Sequence, residues 1–335
     1  MEPPNTPRAP AFVSTGVLPG PEVVHSLVQE AYERHRDETD GEVSRVYPAL
    51  ARVAPDLFGV SVVGVTGRVF SIGDATVGFT IMSAAKPFVF ALVCDLHGPD
   101  ALRERIGVNA TGLAFNSLSA VEQSADGRTN PMVNSGAIST TSLVPGEALE
   151  ERWAFLLGGL SRFAGRELEL DDEVYASASA TNHRNQAIAQ LLQDRQRIAG
   201  DSREALDLYT RQSSVRVTAT DIAVMGATLA DGGVNPVTAE RVISAATCRH
   251  TLAVMTTAGL YETSGDWLYD VGLPGKSGIG GGIVTIAPGK GGLGTFAPRL
   301  DAVGNSVKGQ LVARDLSRSL GLDLFISEPR PASDA

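Results

Sequence analysis

The sequence is poor in the residues that several common functions require. Its two cysteines, Cys94 and Cys248, form no C-x-x-C pair and lie in apolar or helical-looking contexts, so we expect buried free thiols in a reducing cytoplasm. The five histidines show no metal-ligand spacing, and we expect no metal site. The longest uncharged segment, 129–146, is too polar to span a bilayer. The N-terminus lacks a basic-then-apolar secretory pattern, which also favours the cytoplasm.

Lysine is scarce as well. Among 28 lysines and arginines, only Lys86, Lys276, Lys290 and Lys308 are lysines. A GC-rich genome produces this bias with no functional meaning, yet a retained lysine also supplies an amine that can lose its proton, as arginine cannot. The net charge of −10 repels phosphate backbones and argues against a nucleic-acid partner.

Strand patterns occur near both ends of the chain, with a mainly helical block between them. Segments 57–67 and 68–72 predict a strand, a turn and a returning strand, and 280–287 and 292–297 predict two later strands. Because short sheets do not persist alone, early and late strands must pair in one sheet. We therefore expect an α/β (α+β) protein: a sheet lobe of about 21–82 and 262–330, a helical lobe of about 83–261, and a flexible leader over 1–20.

The helical patterns lie at defined places. Apolar periodicity predicts helices at 21–36, at about 83–96, and at the positions that follow: 149–164, 182–196, 203–211, 220–229 and about 306–320. The helix at 220–229 is expected to begin at an N-cap threonine. No internal repeat or low-complexity linker interrupts residues 21–330, which we interpret as one catalytic domain.

A Ser-x-x-Lys pair, Ser83 and Lys86, stands at the start of the second predicted helix. Residues three apart on a helix share one face, with Cβ atoms about 5–6 Å apart. A desolvated lysine can act as the base that a serine nucleophile needs, and a helix N-terminus adds N–H groups for a developing oxyanion. Alone the pair is weak, because about one such match is expected by chance in a chain of this length.

Two further segments add polar groups to this pair. Lys276-Ser277-Gly278 precedes a glycine-rich strand, which lets a substrate lie close to the backbone, and it does not fit a P-loop because Asp270 stands at the first glycine position. With Ser-x-x-Lys, it matches the pairing of motifs in penicillin-recognising serine enzymes. The uncharged segment around Asn134 either lines a pocket or holds a turn.

Together these segments closely resemble the bacterial glutaminase family, which has a serine β-lactamase-like fold. The resemblance runs from about Gly41 to Leu322. The motifs that carry it are Phe115-Asn116-Ser117, Asn130 to Ile138, Arg184-Asn185, Tyr209 to Ser213, Gly232 to Pro236, Trp267 to Gly282, Pro298 to Asp301 and Gly304 to Ser306.

The resemblance implies roles for individual positions. Ser83 matches the nucleophile, Lys86 the adjacent base, and Tyr261 a proton-relaying tyrosine. Side chains that hold the substrate match Asn134, Asn185 and Tyr209, and the backbone N–H of Ile279, where the family usually has valine, would join that of Ser83 in the oxyanion hole. No metal or organic cofactor is implied, and relatives suggest a homodimer or homotetramer.

Two positions depart from the family pattern. The glutamate expected to bind the substrate's α-ammonium group, seven residues before Asn185, is Ala178. Losing that charged partner would cost about 2–5 kcal/mol in a buried site. The usual Tyr-Ile-Pro reads Val46-Tyr47-Pro48, so the pocket tyrosine is either lost or shifted by one position.

Four hypotheses follow. The leading one is deamidation of L-glutamine to L-glutamate and ammonia by a hydrolase acting on a linear amide bond, through a Ser83 acyl-enzyme in whose formation Tyr261 or Lys86 takes the Ser83 proton. The alternative keeps this mechanism with another small amide, without a free α-amino group, to suit Ala178. A weakened family member used for binding is disfavoured by the intact Ser83, Lys86 and Tyr261. A penicillin-binding or β-lactamase activity is disfavoured by the glutaminase-specific motifs.

Overall fold

The computed structural model describes residues 18–326, so most of the predicted leader lies outside the described residues. Its strands are β1 (Glu42–Val43), β2 (Gly59–Gly64), β3 (Val69–Gly73), β4 (Phe79–Thr80), β5 (Glu169–Leu170), β6 (Val215–Val217), β7 (Gly275–Ser277), β8 (Gly282–Ala287), β9 (Gly291–Phe296) and β10 (Arg299–Leu300). Its α-helices are α1 (Pro21–His35), α2 (Lys86–His97), α3 (Pro99–Arg105), α4 (Ser119–Glu122), α5 (Asn134–Thr141), α6 (Leu149–Ala164), α7 (Asp172–Thr181), α8 (His183–Asp194), α9 (Ser202–Ser213), α10 (Ala219–Ala230), α11 (Ala245–Ala258), α12 (Ser264–Val271) and α13 (Val307–Ser319).

The largest sheet joins the two ends of the chain, as the sequence predicts. Its five strands run in the order β3-β2-β9-β8-β7, and every neighbouring pair is antiparallel. The early strand β2 pairs with the late strand β9, with Val60 opposite Thr295. The exact lobe boundaries, at 82/83 and 261/262, stay a prediction.

Both faces of this sheet are covered by helices. Alternation along the strands places Val60 in the cluster formed with α1 and α13, and Val63 in the cluster formed with α10. Helix α10 lies so close to β9 that a Cβ on Gly292 would come within 2.3 Å of the Ala223 carbonyl oxygen. Glycine at this strand position is therefore required by the close approach of helix and sheet.

Helix α2 is the central helix of the rest of the molecule. Every residue from Lys86 to Cys94 is buried, and its apolar side chains belong to the largest hydrophobic cluster. The predicted helix at 149–164 is confirmed at its bounds as α6. The N-cap threonine of α10 is Thr218 rather than Thr220, because Thr218 and Asp221 form a reciprocal capping box there.

Five short strands were not predicted: β1, β4, β5, β6 and β10. Strands β4, β5 and β6 form a second sheet in the order β4-β6-β5, and none is longer than three residues. Segments this short carry no readable alternation of apolar and polar residues, which explains why the sequence does not reveal them. The sheet matters for the site because β4 ends at Thr80, just before the Ser83 turn, and β6 follows α9.

Candidate active site

Ser83 lies in a 3-10 turn, Met82–Ala85, and the α-helix itself begins at Lys86. Met82 has a φ of 49°, an uncommon conformation for a non-glycine residue that is typical of functional sites. The end of β7 packs directly on this turn, since a Cβ on Gly278 would lie 2.6 Å from the Ile81 carbonyl oxygen. The Ser-x-x-Lys and Lys-Ser-Gly segments are therefore brought together, with glycine required at their contact.

The Lys86 amine is buried one turn further along. Its Nζ donates a hydrogen bond of 2.7 Å to Asn134 Oδ1, and the side chain is 2% exposed. Burial lowers the pKa of Lys86 from 10.5 to about 7, because the charged form loses its hydration. An amine with this pKa is about half unprotonated at neutral pH and mostly unprotonated at mildly alkaline pH, so it can act as a base there.

Asn134 links the lysine to two other predicted substrate-holding residues. Its Oδ1 also accepts a hydrogen bond of 3.1 Å from Tyr209 Oη, and its Nδ2 donates one of 2.8 Å to Asn185 Oδ1. Asn134 is the first residue of α5, Asn185 lies in α8 and Tyr209 in α9. Three helices thus converge on one amide, and of the two interpretations of Asn134 the pocket residue is the one observed.

Tyr261 reaches the same serine from the other side. Its φ is 55°, its Oη donates a hydrogen bond of 3.1 Å to the Ser277 carbonyl oxygen, and its ring packs on Phe115. The hydroxyls of Tyr209 and Tyr261 both interact with the Ser83 side chain. Burial raises the pKa of Tyr261 above its ordinary value, so at neutral pH its phenol keeps its proton and can donate it.

A cavity of about 130 Å³ opens above Ser83. Its wall includes Asn134, Asn185, Tyr209 and Ile279 among the predicted site residues, whereas Lys86 and Tyr261 lie behind that wall. The remaining lining residues are Val46, Tyr47, Met82, Phe115, Asn116, Ala178, Thr181, Asn182, Arg184, Thr210, Ser213 and Ser214.

The far side of the cavity carries the two departures from the family pattern. Ala178, on α7, is 2% exposed and lines the cavity as a methyl group. Tyr47 is partly buried on the same wall, and burial raises its pKa, so the alternative of a tyrosine shifted by one position is the one observed. Among the described lining residues no side chain is a carboxylate, and the charged one is Arg184.

The sequence motifs pointed to Lys276 without giving it a role. It is fully buried, and its Nζ donates to the carbonyl oxygens of Gly259, at 2.9 Å, and Ser277, at 2.7 Å. The scarcity of lysine and the Lys-Ser-Gly motif were the available signals. A pattern of letters could not show that this amine lies 4.5 Å from the centre of the Tyr261 ring.

Within residues 18–326, no three His, Cys, Asp or Glu side chains form a group that could hold a metal ion. The helices of that region include none long and apolar enough to cross a membrane. Both cysteines are free and buried, as expected from the sequence.

Comparison with known proteins agrees with this geometry. The profile of the glutaminase family matches residues 41–325. Glutaminase 2 of Yersinia pestis is 65% identical over 318 residues, covering 95% of this chain and 94% of that protein. The glutaminase of Mycobacterium marinum is 48% identical over 302 residues, covering 90% and 94%. The solved structure of the probable glutaminase ybaS superposes with a TM-score of 0.90 at 41% identity, covering 92% of this chain and all of that one. The serine β-lactamase-like fold predicted from the sequence is confirmed, and the chain belongs to the glutaminase family.

Proposed function

We propose that this protein hydrolyses the side-chain amide of L-glutamine to L-glutamate and ammonia through an acyl-enzyme on Ser83. Family membership supports the reaction. One observation carries the mechanism: a buried lysine with a pKa of about 7 lies one turn from a serine at the floor of a cavity. This is the arrangement that a serine needs to become a nucleophile without histidine.

The first half of the reaction forms the ester. Lys86 accepts the Ser83 proton, and Ser83 Oγ attacks the amide carbon. The backbone N–H groups of Ser83 and Ile279 stabilise the oxyanion. Tyr261, which is protonated because burial raises its pKa, donates its proton to the departing nitrogen and takes up the proton that Lys86 received from Ser83. The C–N bond breaks and ammonia leaves.

The second half reverses these roles with water as the nucleophile. Water attacks the ester, its proton passes to the same basic groups, and Ser83 is released with its proton restored. Asn134, Asn185 and Tyr209 hold the substrate, since their polar atoms are fixed by mutual hydrogen bonds at the cavity wall. No step requires a metal or an organic cofactor.

Other properties belong to the same proposal. Two buried free cysteines and an acidic chain favour a cytoplasmic protein without a nucleic-acid or membrane partner. The resemblance to the family favours a homodimer or a homotetramer. A small amide other than glutamine stays the second candidate, because Ala178 leaves the described cavity wall without a carboxylate.

Ammonia release tests the proposal. We would measure it from glutamine, asparagine and N-acylated glutamine with the wild type, Ser83→Ala and Ser139→Ala. Ser139 is a buried serine on α5 outside the cavity wall and serves as the control. We expect the wild type and Ser139→Ala to turn over glutamine at similar rates, and the rate to fall at least about 10⁴-fold in Ser83→Ala. Turnover left unchanged in Ser83→Ala would refute the mechanism, and turnover of N-acylated glutamine alone would favour the second candidate.

A further inference from the structure

The segment Gly304-Asn305-Ser306 is one of the sequence motifs that the proposed reaction does not use. It lies in the turn between β10 and α13, and Asn305 is 0% exposed. The Asp301 carboxylate fixes this turn, because its Oδ1 accepts hydrogen bonds of 2.9–3.0 Å from the backbone N–H groups of residues 303–305. The amide of Asn305 is therefore presented from a turn that is itself held in place by hydrogen bonds.

The turn that carries Tyr261 has a strained backbone. Tyr261 has a φ of 55°, which a bulky side chain rarely adopts and which persists only where the surrounding contacts over-determine it. Ser264 supplies two of these contacts: its Oγ accepts a hydrogen bond of 3.0 Å from the Leu260 N–H and donates one of 2.7 Å to the Tyr261 carbonyl oxygen. Because Ser264 belongs to the same segment, it shapes the turn without joining it to another part of the chain.

Asn305 joins the Tyr261 turn to a distant part of the chain. Its Nδ2 donates hydrogen bonds to Thr263 Oγ1, at 3.0 Å, and to the Leu260 carbonyl oxygen, at 3.4 Å. Thr263 Oγ1 in turn donates to the same Leu260 carbonyl oxygen, at 3.0 Å. One buried amide thus completes a hydrogen-bonded network that spans the backbone on both sides of Tyr261.

Gly304 places the same turn beside the Tyr261 ring. A Cβ on Gly304 would lie 3.7 Å from Tyr261 Cε2 and 3.4 Å from Ile279 Cγ2. The φ of Gly304 is 107°, a conformation that favours glycine. The turn that presents Asn305 therefore borders the Tyr261 side chain as well as its backbone.

We propose that Asn305 is a positioning residue for Tyr261: its amide holds the Tyr261 turn where the phenol can pass its proton to the departing nitrogen. The inference rests on the proposed function, which makes Tyr261 the proton donor. Without the amide, the strained turn can relax and move the phenol oxygen. A misplacement of about 1 Å can lower a rate about 100-fold.

The identity of the leaving group tests this role. The departing nitrogen of glutamine needs a proton as the C–N bond breaks, whereas 4-nitrophenolate leaves without one. We would measure kcat/KM for glutamine, by ammonia release, and for the γ-(4-nitrophenyl) ester of L-glutamate, by nitrophenolate release. The ratio of the two values does not depend on the folded fraction, so partial misfolding leaves the test valid.

The variants to compare are Asn305→Ala, Thr263→Val and the control Asn235→Ala. Asn235 is matched because it is also 0% exposed, and its Nδ2 also donates two hydrogen bonds, to the carbonyl oxygens of Arg162 and Phe163, outside the cavity wall. We expect Asn305→Ala to lower kcat/KM about tenfold or more for glutamine and less than about threefold for the ester. Thr263→Val removes one acceptor of Asn305 and should give a smaller effect of the same kind, which keeps the test decisive should Asn305→Ala not fold. Asn235→Ala should leave the ratio unchanged.

An unchanged ratio in Asn305→Ala and Thr263→Val would overturn the inference, whether activity is retained or falls equally on both substrates. Tyr261→Phe and Ser83→Ala are run beside them, and Tyr261→Phe should lower kcat/KM for glutamine about 100-fold more than for the ester. If Tyr261→Phe shows no such difference, or if Ser83→Ala retains turnover, the proposed function fails. If both behave as expected while the Asn305→Ala and Thr263→Val ratios stay at the wild-type value, only the role of Asn305 fails.

Discussion

The two sides of the cavity are built differently. On the serine side, defined by Ser83, Lys86, Tyr261 and Lys276, every side chain is at most 9% exposed. On the opposite side, defined by Val46, Tyr47, Ala178 and Arg184, polar groups are fewer and Val46 is 59% exposed. Bond cleavage needs dry, fixed groups, whereas substrate choice can change by replacing one wall residue. We therefore propose that the serine side carries the reaction and the opposite side the selectivity.

The largest effect we predict on the serine side comes from Lys86. Lys86→Arg keeps a permanent positive charge that cannot accept a proton, so kcat should fall about 10³-fold or more. In the wild type, kcat/KM should decrease as the pH falls through about 7, because the base becomes protonated. A pH-rate profile checks both results, and a Lys86→Arg enzyme of wild-type activity would contradict them.

Lys86 should also cost stability. Its pKa is about 7 when folded and 10.5 ordinarily, so between these values the unfolded chain binds more protons and stability rises with pH. At pH 7 the free energy of unfolding of Lys86→Met should therefore exceed that of the wild type by roughly 1–4 kcal/mol, and Lys86→Met should unfold at a higher temperature. Asn134 keeps its hydrogen bond from Tyr209 in this variant.

Thermal unfolding at several pH values measures this effect. The advantage of Lys86→Met should shrink as the pH approaches 10. An advantage that is the same at every pH would show that charge burial is not its cause.

A smaller effect is expected from restoring a carboxylate on the opposite side. Ala178→Glu should lower KM for glutamine about tenfold by pairing with the α-ammonium group, and should leave KM for 4-carbamoylbutanoate, which lacks that group, unchanged or higher. Ala180→Glu adds the same charge at an exposed position of α7 and is the control. No decrease in KM would mean that another group already binds the ammonium.

The smallest effect is predicted for Tyr47. We expect the Tyr47 hydroxyl to take the place of the family's pocket tyrosine hydroxyl. Tyr47→Phe should then raise KM for glutamine about three- to tenfold, because one hydrogen bond is lost. Val46→Ala, at the exposed neighbouring position, should change KM less than about twofold. Steady-state kinetics on both variants checks this, and equal effects would remove Tyr47 from the substrate site.

The sequence predicts the serine side of the cavity more completely than the opposite side. Ser83 and Lys86 stand three residues apart, and the glycine of the Lys-Ser-Gly segment, Gly278, is needed for the close approach to Ile81. Both the spacing and the glycine can be recognised in the sequence. The position of Tyr47 depends on how segment 46–49 packs against Met82 and Ile279, and a one-residue shift leaves no such pattern. The contact between Lys276 and Tyr261 is a tertiary one, which spacing along the sequence cannot reveal.

The fold, too, could be predicted from the sequence only in part. The five-stranded sheet followed from strand patterns at both ends, because unpaired strands need partners. The β4-β6-β5 sheet did not, since strands of two or three residues are set by the packing around them.

An acyl-enzyme on Ser83 can be trapped by acid quenching during turnover. We would mix enzyme and glutamine, quench within milliseconds, digest the protein and determine the mass of the peptide that contains Ser83. We expect a glutamyl ester on that peptide, absent from Ser83→Ala and more abundant when deacylation is slowed. Rapid turnover with no adduct on the Ser83 peptide, together with an adduct on another residue, would contradict it.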